Sequence, residues 1–215
     1  MEKNTGKMLP VWEYVRGLEK ASFCDWPGHI AAVLFLGGCN LRCPTCHNAA
    51  LAWTPNEMPL IKRETILRHI EQKGRWLDGI VVTGGEPTIH EDLPDFLAEL
   101  RQMKTAKSLP LKLDTNGMNP DSVERILADN LADVFAVDVK GPFALYPALT
   151  GNAVDEAYAR HSLERIFAMA AAHPERFYFR TTLVPALSAT DIDIVKKQIP
   201  SGFSLILQKY VSREA

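Results

Sequence analysis

Three of the four cysteines fall in the stretch Gly37-Gly38-Cys39-Asn40-Leu41-Arg42-Cys43-Pro44-Thr45-Cys46-His47-Asn48. Their spacing, C-x3-C-x2-C, follows directly on the apolar run Ala31-Ala32-Val33-Leu34-Phe35-Leu36. A strand that ends in such a loop carries three thiolates to the mouth of a fold, where the loop can wrap an inorganic cluster. A cubane iron–sulfur cluster as a rule takes four thiolates. Three here, with no fourth in the same loop, point to a [4Fe–4S] cluster with one open iron, a position for substrate. The alternative is a zinc site of Cys39, Cys43, Cys46 and His47. Structural zinc sites usually pair two separated ligand sets that staple distant segments, and one compact loop staples little. On the cluster reading, His47 orients the loop or lies beside the cluster.

Further candidates stand at the ends of later apolar runs. Val81-Val82-Thr83-Gly84-Gly85-Glu86-Pro87 places two glycines where backbone can approach a ligand closely, beside Glu86, which can accept from an ammonium group. The same residues also suit a plain strand-to-helix turn. In Leu113-Asp114-Thr115-Asn116-Gly117, Asn-Gly signals a turn, but Asp114 lies inside the apolar strand. A carboxylate there needs a cation, an amine or a ribose hydroxyl as partner. In Phe135-Ala136-Val137-Asp138-Val139-Lys140, Asp138 and Lys140 are two apart and share a strand face. They form either a salt-bridged filling of the mouth, or a ligand pair with Lys140 on a carboxylate and Asp138 on a cation or hydroxyl. Arg180, in Arg180-Thr181-Thr182-Leu183-Val184-Pro185, suits a structural partner of Asp114 or Asp138 as well as it suits a ligand contact. Cys24 is expected in the packing. Trp26 and Trp53, which flank the cysteine loop in sequence, are expected to shield it from water.

The elements that must position these residues follow from the hydrophobic pattern. A chain of 215 residues fits one domain, with residues 1–13 a loose lead-in. Hydrophobic content of 47% and charged content of 23% are ordinary for a globular protein. The net charge of −2, without a basic run, speaks against nucleic-acid binding. No apolar run reaches the roughly 18–20 residues of a membrane helix. The N-terminus lacks the apolar core of a secretory signal, so a cytoplasmic metal site is expected rather than a disulfide framework.

Strand-length apolar runs at about 31–37, 79–84, 110–115, 133–139, 176–183 and 203–209 alternate with helical segments near 61–73, 92–104, 120–129, 156–172 and 190–198. Asn119-Pro120-Asp121 and Thr190-Asp191 provide capping chemistry at two helix starts. Six β/α units are fewer than the eight of a closed barrel. The expected fold is α/β, a partial (β/α)6 TIM-type barrel of parallel strands open on one side, with a doubly wound sheet as the alternative. Both put functional loops at the carboxyl ends of the strands. The connection from Gly141 to Asp155, rich in polar and turn residues, is expected outside the core as a lid or partner-contact loop.

The cysteine loop followed by Gly-Gly-Glu-Pro resembles the radical S-adenosylmethionine (SAM) enzymes. With Asp25-Trp26-Pro27-Gly28, Cys46-His47-Asn48, Asp114-Thr115-Asn116-Gly117, Asp138-Val139-Lys140 and Val184-Pro185, the set is similar to the glycyl-radical-enzyme activating proteins. The resemblance runs from about Tyr14 to Tyr210. It is closest to activators of anaerobic ribonucleoside-triphosphate reductase, in the branch related to pyruvate formate-lyase activators.

The resemblance implies that Cys39, Cys43 and Cys46 ligate three irons of a [4Fe–4S] cluster, and that SAM chelates the fourth. It implies Gly84, Gly85 and Glu86 at the SAM amino group, and Asp138 and Lys140 near its ribose and carboxylate. Asp114 and Thr115 fall near the methionine carboxylate, where pyruvate formate-lyase activators also hold a monovalent cation. Two departures stand out. Thr45 replaces the usual aromatic residue near the adenine, and Gln208-Lys209-Tyr210-Val211 stands where pyruvate formate-lyase activators have Pro-Tyr-His.

The implied reaction is reductive cleavage of SAM and formation of a glycyl radical on a partner, the large subunit of the reductase, with a flavodoxin- or ferredoxin-type electron donor. The rivals are an activator of another glycyl radical enzyme, a radical SAM enzyme acting on a small molecule of the deazaguanine type, and a zinc-stabilised interaction module without enzymatic activity.

Overall fold

The computed structural model describes residues 11–103 and 109–212. Its frame is one seven-stranded sheet of β1 (Val15–Ser22), β2 (Ala31–Leu36), β3 (Gly79–Gly84), β4 (Leu111–Thr115), β5 (Val134–Asp138), β6 (Phe177–Leu183) and β7 (Leu205–Lys209). The strands lie in chain order from β1 to β7. Strands β2 to β7 pair in parallel. A doubly wound sheet needs a reversal in strand order. This order has none, and the longer connecting helices bury their apolar residues in one shared cluster on one face of the sheet. The result is the expected partial barrel, open rather than closed.

The six expected strands are β2 to β7. The seventh, β1, is not among the expected strands, and it pairs antiparallel with β2. Its middle residues are half-buried or exposed and mostly polar, so it shows no apolar run. The expected helices correspond to α2 (Arg63–Lys73), α3 (Leu93–Gln102), α4 (Pro120–Ala128), α6 (Glu156–Ala172) and α7 (Ala189–Gln198), with short helices α1 (Ala49–Trp53) and α5 (Tyr146–Leu149) added. Residue 104, the expected end of α3, lies outside the described residues, as do residues 1–10 of the lead-in. Residues Val11–Tyr14 are not loose: they form a 3-10 turn in which Val11 is buried and its N–H donates to Asp92 Oδ2 at 2.7 Å. No helix among the described residues is long and apolar enough to cross a membrane.

Strand alternation divides the core in two. One set, including Leu34, Val82, Leu113, Phe135 and Phe179, packs under the helices. The opposite face points into the barrel, where Trp26 is buried against Ala31, Val33 and Val81. Trp26 therefore plugs the end of the barrel at the start of β2 and does not shield the cysteine loop, which leaves the other end of that strand. Proximity in sequence misleads here, because a six-residue strand separates the two ends by about 20 Å.

The connection from Gly141 to Asp155 also departs from expectation. Phe143, Tyr146 and Leu149 recur at every third residue, which gives a short helical stretch one apolar face. All three are buried, as is Thr150. The segment packs into the core through Thr150, and Gly151 to Ala153 beyond it are exposed.

Candidate functional site

The loop that leaves β2 is held from several sides. The Gly38 N–H donates to the Leu51 carbonyl at 2.9 Å, and the Arg42 N–H donates to the Thr150 carbonyl at 3.0 Å. Leu41 is buried, and Trp53, half-exposed, donates its indole N–H to the Leu41 carbonyl at 3.3 Å. Trp53 thus braces the loop. The 141–155 segment buttresses it through Gly151, whose φ is +65° and whose position would put a Cβ only 2.2 Å from the Arg42 carbonyl oxygen.

Cys39, Cys43 and Cys46 are free thiols, each partly buried. Burial, helped by the nearby Glu86, pushes the Cys39 thiol up to about 12. Burial raises Cys43 too, against the opposing pull of the Lys140 ammonium. Thiols held this way stay protonated at neutral pH until a metal displaces the proton. Among the described residues no three His, Cys, Asp or Glu side chains converge as a single-ion site. His47 is turned away from any such set. Its Nε2 lies 2.9 Å from the Val211 carbonyl, and its ring stacks on Tyr210 at 5.2 Å. The donor chemistry, three thiols on one loop with the imidazole spent on the segment after β7, fits a cluster better than zinc. Cys24, expected in the packing, is instead exposed, 3.4 Å from the Ser22 hydroxyl.

The Gly-Gly-Glu turn after β3 lies across the base of the cysteine loop. The Gly85 N–H donates to the Leu36 carbonyl at 2.9 Å, and the Glu86 N–H to the Gly38 carbonyl at 2.8 Å. A Cβ at position 85 would sit 2.0 Å from the Gly38 oxygen, so only glycine permits this approach. Glu86 is 1% exposed. Its Oε1 accepts from the Thr88 N–H (3.1 Å), the Thr88 hydroxyl (2.5 Å) and the Thr115 hydroxyl (2.8 Å), and its Oε2 from the Asn116 N–H (2.6 Å). A carboxylate offers about four such positions. Three donors of the chain crowd Oε1 and one takes Oε2, so Glu86 works as a tie between β3 and β4. Burial raises its pKa, and the four hydrogen bonds oppose that shift.

Inside the barrel the charged side chains of β4, β5 and β6, with Lys140 just after β5, form a ladder. Lys112 meets Asp114 Oδ1, and Arg180 reaches Asp114 Oδ2 at 3.2 Å. Arg180 also holds Asp138 Oδ1 at 2.8 Å, and Lys140 holds Asp138 Oδ2 at 3.1 Å. Burial alone would raise the Asp138 pKa, but Arg180 and Lys140 outweigh it and bring the carboxyl down to about 2. Burial opposes the charge of Lys140 and Arg180, yet Asp138 keeps both pKa values above their ordinary ranges. Arg180 is thus partner to both aspartates. Lys112 was not a candidate from sequence; its only signal was its place two residues before Asp114, on the same strand face. Tyr146, also missed, is fully buried and accepts the Lys140 N–H on its hydroxyl at 3.0 Å.

Every candidate residue named from sequence lines one cavity of about 230 Å³ at the carboxyl ends of the strands: the three cysteines, Thr45, His47, Gly84 to Glu86, Asp114, Thr115, Asp138, Lys140 and Arg180. Sequence reasoning did not supply Asn48, Thr83, Asn116, Thr182 and Gln208, which line it too. Thr83 and Thr182 sit on inward-facing strand positions, a signal available from alternation.

Residues 33–195 match the radical SAM superfamily. A Methanocaldococcus jannaschii protein provisionally named a glycyl-radical enzyme activating enzyme is 30% identical over 94% of this chain and 81% of its own length. The pyruvate formate-lyase-activating enzyme of Streptococcus mutans is 29% identical over 86% of this chain and 72% of its own length. Among solved structures, native anSMEcpe with bound AdoMet and Cp18Cys peptide superposes with a TM-score of 0.59 at 18% identity. That match covers 81% of this chain and 48% of the solved one, and it shows the fold.

Proposed function

The chain belongs to the radical SAM superfamily, in its glycyl-radical-enzyme activating branch, and from that premise we propose that it installs a glycyl radical on anaerobic ribonucleoside-triphosphate reductase. Membership in the family implies a [4Fe–4S] cluster and SAM. The observation that carries the site assignment is the meeting of three thiols, a two-glycine turn and a charge ladder in one cavity at the open barrel mouth.

When bound, the reduced cluster supplies the electron that splits SAM into methionine and the 5′-deoxyadenosyl radical that takes hydrogen from a partner glycine. The chain's own residues do the rest. Cys39, Cys43 and Cys46 are the cluster ligands. Gly84 and Gly85, which have only backbone to offer, receive the SAM ammonium, while Glu86 fixes their turn from behind. The ladder holds three cations against two anions, and that surplus of one positive charge suits the SAM carboxylate at Lys140. Asp138 faces the ribose, Thr115 lies beside the carboxylate position, and the Thr45 backbone serves the adenine next to His47. These groups align the reacting carbon and exclude water, the usual contribution of a protein to cofactor chemistry.

Two features support the reductase as partner: the overall resemblance, and Gln208-Lys209-Tyr210-Val211 at the end of β7 in place of Pro-Tyr-His. The electron donor on this reading is a flavodoxin or ferredoxin. The test mixes the reduced, anaerobically reconstituted protein with SAM and candidate glycyl radical enzymes, and looks for the glycyl radical by electron paramagnetic resonance. A radical on the reductase subunit is expected. A radical only on another glycyl radical enzyme reassigns the partner, and failure to form 5′-deoxyadenosine overturns the activity.

A further inference from the structure

The monovalent cation implied beside Asp114 and Thr115 does not fit this chain, and we propose that the buried ammonium of Lys112 takes its place as a resident cation. The proposal rests on the SAM-binding reading of the cavity.

All four oxygens of the two aspartates are already engaged by cations of the chain. Asp114 takes Lys112 on one oxygen and Arg180 on the other, and Asp138 takes Arg180 on one and Lys140 on the other. A hard cation such as K⁺ or Na⁺ is held by oxygen ligands. Here every carboxylate oxygen of the pair already bears a cation of the chain, so a metal ion would have to share each oxygen with an ammonium or guanidinium group. The charge count argues the same way. Burial lowers the Lys112 pKa, but the Asp114 carboxylate opposes that shift. With Lys112 held as an ammonium by this contact, three cations face two anions, and a metal ion would bring four positive charges against two in a largely buried space, a poorly compensated arrangement.

The position of Lys112 is built rather than incidental. Its side chain is fully enclosed, with 0% exposure, and its ammonium lies 5.8 Å from the centre of the Tyr178 ring. Lys112 and Asp114 stand two apart on β4, so both point into the barrel, with Lys112 one pleat deeper. Asp114 is thereby compensated from below by Lys112 and from the side by Arg180. Lys140, at the far end of the ladder, has Asp138 as its one carboxylate partner among the described residues and keeps its remaining hydrogen-bonding capacity for a ligand.

The experiment compares the wild type with Lys112→Ala, which opens a hole of about one cation beside Asp114, and Lys112→Met, which fills the space without charge. Production of 5′-deoxyadenosine from SAM is measured in the reconstituted protein, in buffers whose cation is either tetramethylammonium or K⁺ or Na⁺. The wild type is expected to give the same rate in all three within about twofold. Lys112→Ala should lose about tenfold to a hundredfold in tetramethylammonium, the usual cost of removing an outer-shell partner, and recover with K⁺ or Na⁺. Lys112→Met should lose activity without recovery.

A second readout does not depend on turnover: the melting temperature of the protein without SAM. K⁺ should raise it in Lys112→Ala and leave it unchanged in the wild type. Stimulation of the wild type by K⁺ or Na⁺ severalfold, or a folded Lys112→Ala protein indifferent to cations in both readouts, overturns the proposal. A wild type that makes no 5′-deoxyadenosine under any condition instead overturns the SAM reading, and the melting comparison then still decides the cation site.

Discussion

The Asn116 backbone N–H donates to Glu86 Oε2 at 2.6 Å, a bond that joins the end of β4 to the turn after β3 inside a fully buried pocket. With three further donors on Oε1, Glu86 is wired as an acceptor on both oxygens. In Glu86→Gln the amide NH₂ must face at least one of these donors. A stability loss of about 3 kcal/mol is expected in urea unfolding of the cluster-free protein, because buried donors lose their partner. A loss below about 0.5 kcal/mol, the scale of an ordinary surface change, would show that the tie is dispensable.

Acid stability should track Asp138. Its folded pKa lies near 2, below its ordinary value of 3.8. A depressed carboxyl contributes stability that is complete above the unfolded value and is lost as pH falls through the folded one. The contribution is about 2 kcal/mol, present above pH 4 and disappearing toward pH 2. Denaturation of the cluster-free wild type should show this slope, and Asp138→Asn should flatten it. Equal slopes in the two proteins would mean that other carboxyls carry the acid transition.

Thiol reactivity should separate Cys24 from the cluster loop. In the cluster-free protein Cys24 is exposed, whereas the pKa values of Cys39 and Cys43 are raised by burial, Cys39 to about 12. The thiolate is the nucleophile. Iodoacetamide at pH 8 should therefore modify Cys24 first, and raising the pH should accelerate Cys39, as followed by peptide mapping. Equal rates at pH 8 would show that the loop opens when the cluster is absent.

Gly151→Ala should weaken cluster retention without touching a thiol. The added methyl meets the Arg42 carbonyl in a backbone conformation that favours glycine, with strain on the order of 1–3 kcal/mol. The loop between Cys39 and Cys43 must shift to relieve it. Iron and sulfide per chain after reconstitution should fall, while Cys43→Ala should abolish the cluster absorbance. Full iron content in Gly151→Ala would disprove the buttress.

Much of this was legible in the sequence because its signals are local. Uninterrupted apolar runs mark buried parallel strands, and the two-residue offset of Asp138 and Lys140 fixes their shared face. The same offset placed Lys112 beside Asp114, but a lysine within an apolar run suggests a solvent-facing position, and only the parallel pairing of β4, β5 and β6 brings Arg180 to complete its surroundings. Strand β1 was hidden because an edge strand with half-exposed residues needs no apolar run. Trp26 was misplaced because nearness along the chain says nothing about which end of a strand a residue covers. In the 141–155 segment two prolines read as breakers, whereas Pro147 sits in the first turn of α5, where proline is accommodated.

The ladder has a consequence for how this site can evolve. Four of its five charges lie on β4, β5 and β6 and the fifth, Lys140, just after β5, and within the ladder Arg180 touches both aspartates. Loss of Asp114 strands Lys112 and loss of Asp138 strands Lys140, while loss of a cation removes the surplus of one, so single substitutions are penalised and paired ones that conserve the surplus are tolerated. Positions 112, 114, 138, 140 and 180 should therefore covary as a set among relatives. A homologue with an apolar residue at 112 should differ elsewhere in the set, or owe its balance to an ion drawn from solution.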